Sequence, residues 1–338
     1  MASLKDIAQH CGVSIATVSK ALNGMQDIGE ETRRRVLEAA EALGYTSNAA
    51  ARALKTNRTY NLGVLFVDEQ HSGLSHEYFS QVLDSLRVEA ERRGYDITFI
   101  NNSVGQRRTS YLQHALYRGV DGVAVICVDY FDPMVLELVR SSLPVVTIDH
   151  SFNNRTAVMS DNLAGPEALV RYACEKGHRR IAFIHGERTD VTENRLTGFY
   201  RACEALGLTV PDGWVLQGRY HHPKSCYELT RRLLAAPERP SCILFPDDFS
   251  SIGGLNAIYE SGLRVPEDLS VIGYDGIYLS RVISPRLCTW RQNTGELGRI
   301  AAERLIELIE HPRTTAQERC VVSGELLEGG SVAAPAER

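Results

Sequence analysis

Apolar side chains recur at helical spacing at the start of the chain, between Leu4 and Gly24. Leu4, Ile7, Ala8 and Cys11 fall on one face and predict a short amphipathic helix. Ser3 stands just before it with Asp6 three residues on, an N-cap arrangement. Gly12 breaks the run, as suits a tight turn needing positive φ. Ser14 is placed to cap a second helix, Ile15 to Leu22, which buries Val18 and Leu22 and leaves Ile15, Ala16, Ser19 and Lys20 on other faces. A third helix is predicted from about Glu30 to Leu43, with the two leading glutamates favoured by the macrodipole. Val36, Ala40 and Leu43 line its apolar face, and Gly44 stops it. Its Arg33, Arg34 and Arg35 read equally as phosphate contacts or as a solvated face. Two short helices joined by a glycine turn match either a plain helical hairpin or a helix-turn-helix, whose second helix enters the DNA major groove.

Residues 45–59 contain one short predicted helix, Ala49 to Leu54, capped by Asn48. It has almost nothing to bury, so alone it should be marginal. Leu54 is its one large apolar side chain, suited to wedging into a minor groove or simply incidental to a linker. From Asn61 the pattern changes to short apolar runs: Leu62–Val67, Ile97–Ile100, Gly122–Val128, Pro144–Ile148, Ile181–Ile184, Cys242–Phe245 and Leu269–Tyr274. Amphipathic stretches such as Tyr78–Arg93, Asn162–Lys176 and Glu193–Leu206 alternate with them. That alternation predicts parallel sheets covered on both faces, in two lobes with a ligand cleft at the strand C-terminal ends.

Charge sharpens the division. Residues 1–58 carry eight Lys and Arg against six Asp and Glu, and the remainder carries 29 against 36. A mildly basic head on an acidic body suits a small DNA-reading unit attached to a domain that stays off DNA. The eight cysteines are scattered without a CxxC pair and read as free thiols of a reducing compartment. No signal peptide is seen and no apolar run reaches transmembrane length, so a cytoplasmic protein without membrane association is expected.

The head resembles that of the LacI/GalR family of bacterial transcription regulators. The resemblance is carried by Leu4-Lys5-Asp6-Ile7-Ala8, Gly12-Val13-Ser14, Thr17-Val18-Ser19, Leu22-Asn23, Leu43-Gly44-Tyr45 and the stretch Asn48 to Leu54. It implies a homodimer on a near-palindromic double-stranded operator. By position, Ile15, Ala16 and Lys20 would read bases, and Thr17 and Ser19 would touch phosphate. Asn23 joins this DNA-binding set, and Leu54 would enter the minor groove. Lysine can donate to guanine, whereas isoleucine and alanine can make only apolar contacts, for example with a thymine methyl. Three residues depart from the pattern: Ser47 where proline is frequent, Gly29 where a Ser or Thr usually caps, and Lys20 where arginine is frequent.

The body resembles the effector domain of the same family, with the fold of periplasmic sugar-binding proteins. Its marks include Gly119-Val120-Asp121-Gly122, Ile148-Asp149, Gly177-His178, Asp247-Asp248 and Val271-Ile272-Gly273-Tyr274-Asp275. The implied fold class is α/β, an all-α helix-turn-helix head followed by a two-lobed periplasmic-binding-protein-like domain with parallel sheets. The implied division is a DNA-binding domain at 1–46, a hinge at 47–59 and an effector and dimerisation domain at 60–338. The lobes run approximately 60–160 plus 291–320 and 161–290 plus 321–330. By position, Asp149, Arg195, Asp247, Asp275 and Gln292 would contact effector, and Phe79, Tyr220 or Trp290 could cover a sugar face. Each aspartate could instead cap a helix at a strand-helix junction, and each aromatic could simply fill core. An acid-rich cleft of Asp149, Asp247, Asp248 and Asp275 suits a neutral sugar over an anionic one.

The reading is therefore a sugar-controlled repressor. A transport-type solute-binding protein would lack the head. An enzyme is disfavoured because no GxGxxG, Walker A, GxSxG or HExxH pattern occurs. His221-His222 and the pair His71 and His76 read as solvated loops, so no metal, catalytic residue or cofactor is assigned.

Overall fold

The computed structural model describes residues 2–22, 25, 27–45, 58–67 and 73–335. Asn23, Leu54, His71 and nearly all of the hinge lie outside the described residues. The chain divides into two compact units, Met1–Thr59 and Tyr60–Arg338.

The first unit contains α1 (Leu4–Cys11), α2 (Ile15–Leu22) and α3 (Glu30–Ala42). Ser3 Oγ accepts from the Asp6 N–H while Asp6 Oδ2 accepts from the Ser3 N–H at 2.8 Å, a reciprocal capping box. Gly12 closes α1 in the left-handed region at φ 63°. Ser14 Oγ accepts from the Thr17 N–H at 3.0 Å and so caps α2. Gly29 precedes α3 with no side-chain cap. The core is Ile7, Ala8, Cys11, Val18, Ala21, Val36, Ala39 and Ala40. Two expectations are corrected here. Ala21, one turn on from Val18, takes the fully buried position on α2, and Leu22 is only half-buried. α3 ends at Ala42, so Leu43 lies past the last turn and stays 37% exposed while Ala39 packs inward. Arg35 donates to the Cys11 carbonyl and Arg33 to the Met25 carbonyl, so both guanidinia brace the head internally. Ser14→Ala should cost about 1 kcal/mol of local stability. Amide exchange over residues 15–22 of the full chain should rise roughly fivefold, and an unchanged rate would remove the cap from the account.

The second unit is built from two six-stranded sheets. The first lobe runs β1 (Asn61–Phe66), α4 (Glu77–Arg92), β2 (Asp96–Ile100), the hairpin β3 (Ser103–Val104) and β4 (Arg107–Arg108), α5 (Tyr111–Arg118), β5 (Gly122–Ile126), α6 (Pro133–Arg140), β6 (Val145–Ile148) and β7 (Thr156–Ser160). The second lobe runs α7 (Ala164–Glu175), β8 (Ile181–His185), α8 (Asp190–Ala205), β9 (Val215–Gln217), α9 (Pro223–Leu234), β10 (Cys242–Leu244), α10 (Asp248–Glu260), β11 (Ser270–Asp275), α11 (Tyr278–Val282) and β12 (Cys288–Arg291). The chain then returns to the first lobe with α12 (Thr294–Glu310) and β13 (Arg319–Val322), and crosses once more to β14 (Glu325–Leu327). The sheet orders are β13-β7-β6-β5-β1-β2 and β14-β12-β11-β10-β8-β9.

All pairings in the two large sheets are parallel except β12 with β14. The reason is visible in the strands. β5, β6, β8 and β11 are buried at every position, as a strand covered on both faces must be. The chain passes between lobes after Ser160, after Arg291 and after Val322. These passes are stitched by Asp161 N–H to Val322 O at 2.9 Å and Gln292 N–H to Asp275 O at 3.2 Å. α12 lies along α4 and buries Leu297, Ala301, Ala302, Leu305 and Ile306 in the first lobe's core.

Candidate functional site

The strand C-terminal ends of both lobes open onto one cleft of about 510 Å³. Asp149 directly follows β6 and Asp275 ends β11, so an apolar strand delivers each carboxyl to the opening. Both sit at positive φ, 59° and 99°, a backbone strain that concentrates at functional sites. Asp149 accepts from the Ser160 N–H at 2.7 Å and the Tyr78 hydroxyl at 2.9 Å. Asp275 Oδ1 accepts from Gln292 Nε2 at 2.7 Å.

Arg195, on α8, lines the same cleft, and its charge acts on both carboxyls. Its Nε donates to Asn162 Oδ1 and its Nη1 to the Pro246 carbonyl, each at 2.9 Å. Its guanidinium carbon stands 3.6 Å from the centre of the Tyr274 ring and 5.5 Å from that of Tyr220. Burial works against its charge, but the surrounding tyrosines, Asp275 and Asp149 hold the proton on. Burial raises both carboxyls in turn. Asp275 is pushed up to about 7, with Arg195 opposing and Asp247 adding to the shift. Asp149 is raised by the same desolvation, opposed by the Ser160 N–H, Tyr78 and Arg195.

The walls are aromatic. Phe79 packs against Phe66, with ring centres 5.6 Å apart. Tyr130 lies flat on His150, 4.3 Å between centres and 11° between planes. The Tyr130 hydroxyl donates to the Ile148 carbonyl at 2.6 Å, and His150 Nδ1 meets Asp190 Oδ2 of the second lobe at 2.8 Å.

On the head, α2 presents Ile15, 49% exposed, with Ala16 and Lys20 also open. Thr17 and Ser19 are half-buried, and Thr17 Oγ1 lies 2.9 Å from Ser14 Oγ. Lys20 is paired with Asp27. A helix presenting a lone exposed isoleucine beside a lysine suits apolar and donor contacts in a major groove.

The family model described as bacterial regulatory proteins, lacI family, matches residues 3–48, and that of a periplasmic binding protein-like domain matches residues 170–332. The HTH-type transcriptional repressor PurR of Haemophilus influenzae (strain PittEE) is 34% identical over 338 residues, covering 98% of this chain and 99% of that protein. Its namesake from Escherichia coli O139:H28 is 33% identical over 340 residues, covering 98% and 97%. The chain belongs to the LacI/GalR family of bacterial transcription regulators. Among solved structures, a complex of the transcriptional regulator CelR with cellobiose superimposes with a TM-score of 0.72 at 26% identity, covering 98% of this chain and all of that one. The lac repressor dimer bound to operator and an anti-inducer shares the fold at a TM-score of 0.80 and 24% identity, over 98% of this chain and 99% of that one. As a LacI-family member this protein is a DNA-binding transcriptional repressor and not an enzyme.

Phe79, Asp149, Arg195, Tyr220, Asp275 and Gln292 all line the cleft. Three sequence-derived assignments are corrected. Asp247 is 1% exposed and caps α10, accepting from the Ser250 N–H at 2.6 Å, the Ser250 hydroxyl at 2.8 Å and the His221 N–H at 2.9 Å. Those three donors occupy its oxygens, so it supports the cleft from beneath. Asp248 accepts from the Thr289 hydroxyl at 2.6 Å and the Ile277 N–H at 3.0 Å, and so pins the ends of β11 and β12. Neither acid lines the opening; its acidic residues are Asp149 and Asp275 together with Asp129, Glu187 and Asp190. Trp290 shares the inward face of β12 with Cys288 and packs in the second lobe's core, since alternate residues of a strand take the same side.

His76 and His221 are not in solvated loops: both are mostly buried and both line the cleft. Tyr130, His150 and Asp190 are also cleft residues that the sequence reading passed over. The strand-end rule that finds Asp149 also points to Tyr130 and His150, since they follow β5 and β6.

Proposed function

We propose that this repressor reads a near-palindromic operator as a homodimer in the cytoplasm, and that a small neutral polyhydroxy compound in the cleft controls its hold on DNA. One observation carries the ligand class: carboxylates from both lobes, Asp149 and Asp275, line one opening together with Arg195. Vicinal hydroxyls can donate to such carboxylates, and a fork of N–H groups suits a sugar oxygen. The family likeness to a regulator solved with cellobiose supports the same class. On the head, Ile15, Ala16 and Lys20 are the base-reading residues, with Thr17 and Ser19 toward phosphate. The proposed roles of Asn23 and Leu54 rest on sequence position alone. Ligand-driven movement of the lobes would shift the spacing of two heads whose half-sites lie about 34 Å apart, a distance tolerating little mismatch.

A second ligand class has one observation in its favour. The flat Tyr130–His150 stack and Phe79 line the same cleft, aromatic surface that suits a neutral planar heterocycle. A thermal-shift screen of the full chain separates these readings, because specific binding raises the melting temperature by mass action. Neutral mono- and disaccharides, sugar acids, sugar phosphates, and nucleobases form the panel. A neutral sugar hit that also alters retention of an operator selected from random DNA supports the first reading, and a nucleobase hit the second. Stabilisation by anions alone overturns both.

A further inference from the structure

The single cation of α2 stands beside a carboxylate from the segment that follows the helix. Lys20 lies in the last turn of α2, and its Nζ is paired with Asp27 Oδ2, the two side chains being 49% and 57% exposed. Asp27 does not owe its place to that pair alone. Two residues before it, the Met25 N–H donates to the Lys20 carbonyl at 3.1 Å, and the Met25 carbonyl accepts from Arg33 Nη2 at 2.6 Å. One residue after it, Ile28 packs against the core of the head. The chain is therefore tied to α2, to α3 and to the core on both sides of Asp27. Among the described residues the arginines of α3 are engaged elsewhere: Arg33 on Met25, Arg34 with Glu38 at 3.9 Å and Arg35 on the Cys11 carbonyl.

A carboxylate beside a groove-entering helix repels phosphate, so it weakens binding to every sequence unless a base contact offsets the loss. We propose that Asp27 is a positioning residue for sequence selection: it holds the Lys20 ammonium as an internal counter-ion and aims it at a guanine. This role deepens the reading of Lys20 as a base-reading residue and rests on it. A lysine ammonium is a point charge with three donors on a flexible stem, whereas an arginine fork is rigid. Held by Asp27 through one N–H, the ammonium keeps two for guanine O6 and N7, the base edge that offers two acceptors in the major groove. On random-sequence DNA the same pairing withholds Lys20 from the phosphates, so a nonspecific complex forgoes the counterion release of one contact. Asp27 supplies from outside the side chain the orientation that an arginine carries within it.

The test uses the full chain and three kinds of DNA: a duplex selected from a random pool by the wild type, its single-base variants, and random-sequence duplex. Each is titrated by fluorescence anisotropy between about 50 and 200 mM salt. Asp27→Asn should bind random duplex about threefold to tenfold more tightly at the lower salt, with the slope of log affinity against log salt steeper by about 0.9, the contribution of one more phosphate. Its preference for guanine at the base pair read by Lys20 should fall about tenfold. Asp27→Glu keeps the charge and should keep the wild-type slope and most of the preference. In a Lys20→Met background, Asp27→Asn should move the slope far less, since no ammonium is released. Asp27 is exposed, so both Asp27 variants should melt as the wild type does. An Asp27→Asn slope equal to the wild type's overturns the proposal, as does a gain in affinity that is the same on selected and random DNA. Guanine preference lost in Lys20→Met but kept in Asp27→Asn overturns the role of Asp27 alone. A Lys20→Met variant that keeps every base preference overturns the reading of Lys20 itself.

Discussion

Arg195→Ala should abolish effector binding and destabilise the body by about 3–5 kcal/mol, the usual cost of stripping one partner from a buried ionic cluster. The side chain is buried, makes two 2.9 Å hydrogen bonds and supplies positive charge that acts on both Asp149 and Asp275. Its loss orphans Asn162 Oδ1 and leaves two buried carboxylates without that counter-charge. The sign with pH follows from the carboxyls. Asp275 is already raised to about 7 by burial, so the folded state binds a proton that the unfolded chain releases near pH 4. That stabilisation is complete below about pH 4 and is lost as pH rises through about 7. Without Arg195 both acids rise further, and the variant suffers most where they would have to ionise. The gap in urea midpoint between wild type and variant should be wide at pH 8 and should narrow toward pH 5. A gap independent of pH would mean that Arg195 acts through packing on Tyr274 alone. Arg195→Lys should keep part of the stability yet lose the effector, because a point charge cannot reproduce the fork that spans Asn162 and the Pro246 carbonyl.

Gly253→Ala should cost about 3 kcal/mol or more, although it adds a single methyl. A Cβ at this position would lie 1.8 Å from the Pro223 carbonyl oxygen and 2.5 Å from its carbon. The obstacle is backbone, so no rotamer change relieves it, and α9 and α10 must move apart. Pro223 opens α9 immediately after His221 and His222, so the displacement is delivered to the cleft wall. The expected result is a fall in melting temperature of several degrees together with weaker effector binding. Gly213, whose Cβ would meet nothing within 4 Å, serves as control. Equal stability of the two alanine variants would show that the α9–α10 crossing is looser than drawn.

How much of this was legible in the sequence depends on the range of the interaction concerned. Caps are local, and Ser3 with Asp6, Gly12 and Ser14 behave as their spacing predicts. Asp149 and Asp275 were legible for a similar reason, since each ends an apolar run that can only be a buried strand. Asp247 follows such a run too, and nothing in its immediate sequence separates it from Asp275. The difference is that Pro246-Asp247 leads straight into α10, whose free N–H groups claim the carboxylate. Trp290 was misread because its inward direction is set by the pleat of β12 between β11 and β14, a register fixed by distant partners. The His76–His221 contact joins residues on different lobes, and no periodicity reports it. α12 was overlooked even though Leu297, Ala301 and Leu305 keep helical spacing; its importance comes from α4, which it covers from the far end of the chain.

That return of the chain has a bearing on synthesis. The first sheet is begun by β1 at Asn61 but is not finished until β13 at Arg319–Val322 pairs with β7. A ribosome adding about 5–20 residues per second takes on the order of tens of seconds to travel between them. Throughout that interval the nascent first lobe carries an open edge at β7 and an uncovered apolar face along α4. The head, whose described core lies within Ile7 to Ala40, can fold long before the body can. Both lobes must then be completed almost together, by segments made last, so the repressor's DNA-reading part exists for some time before the part proposed to govern it.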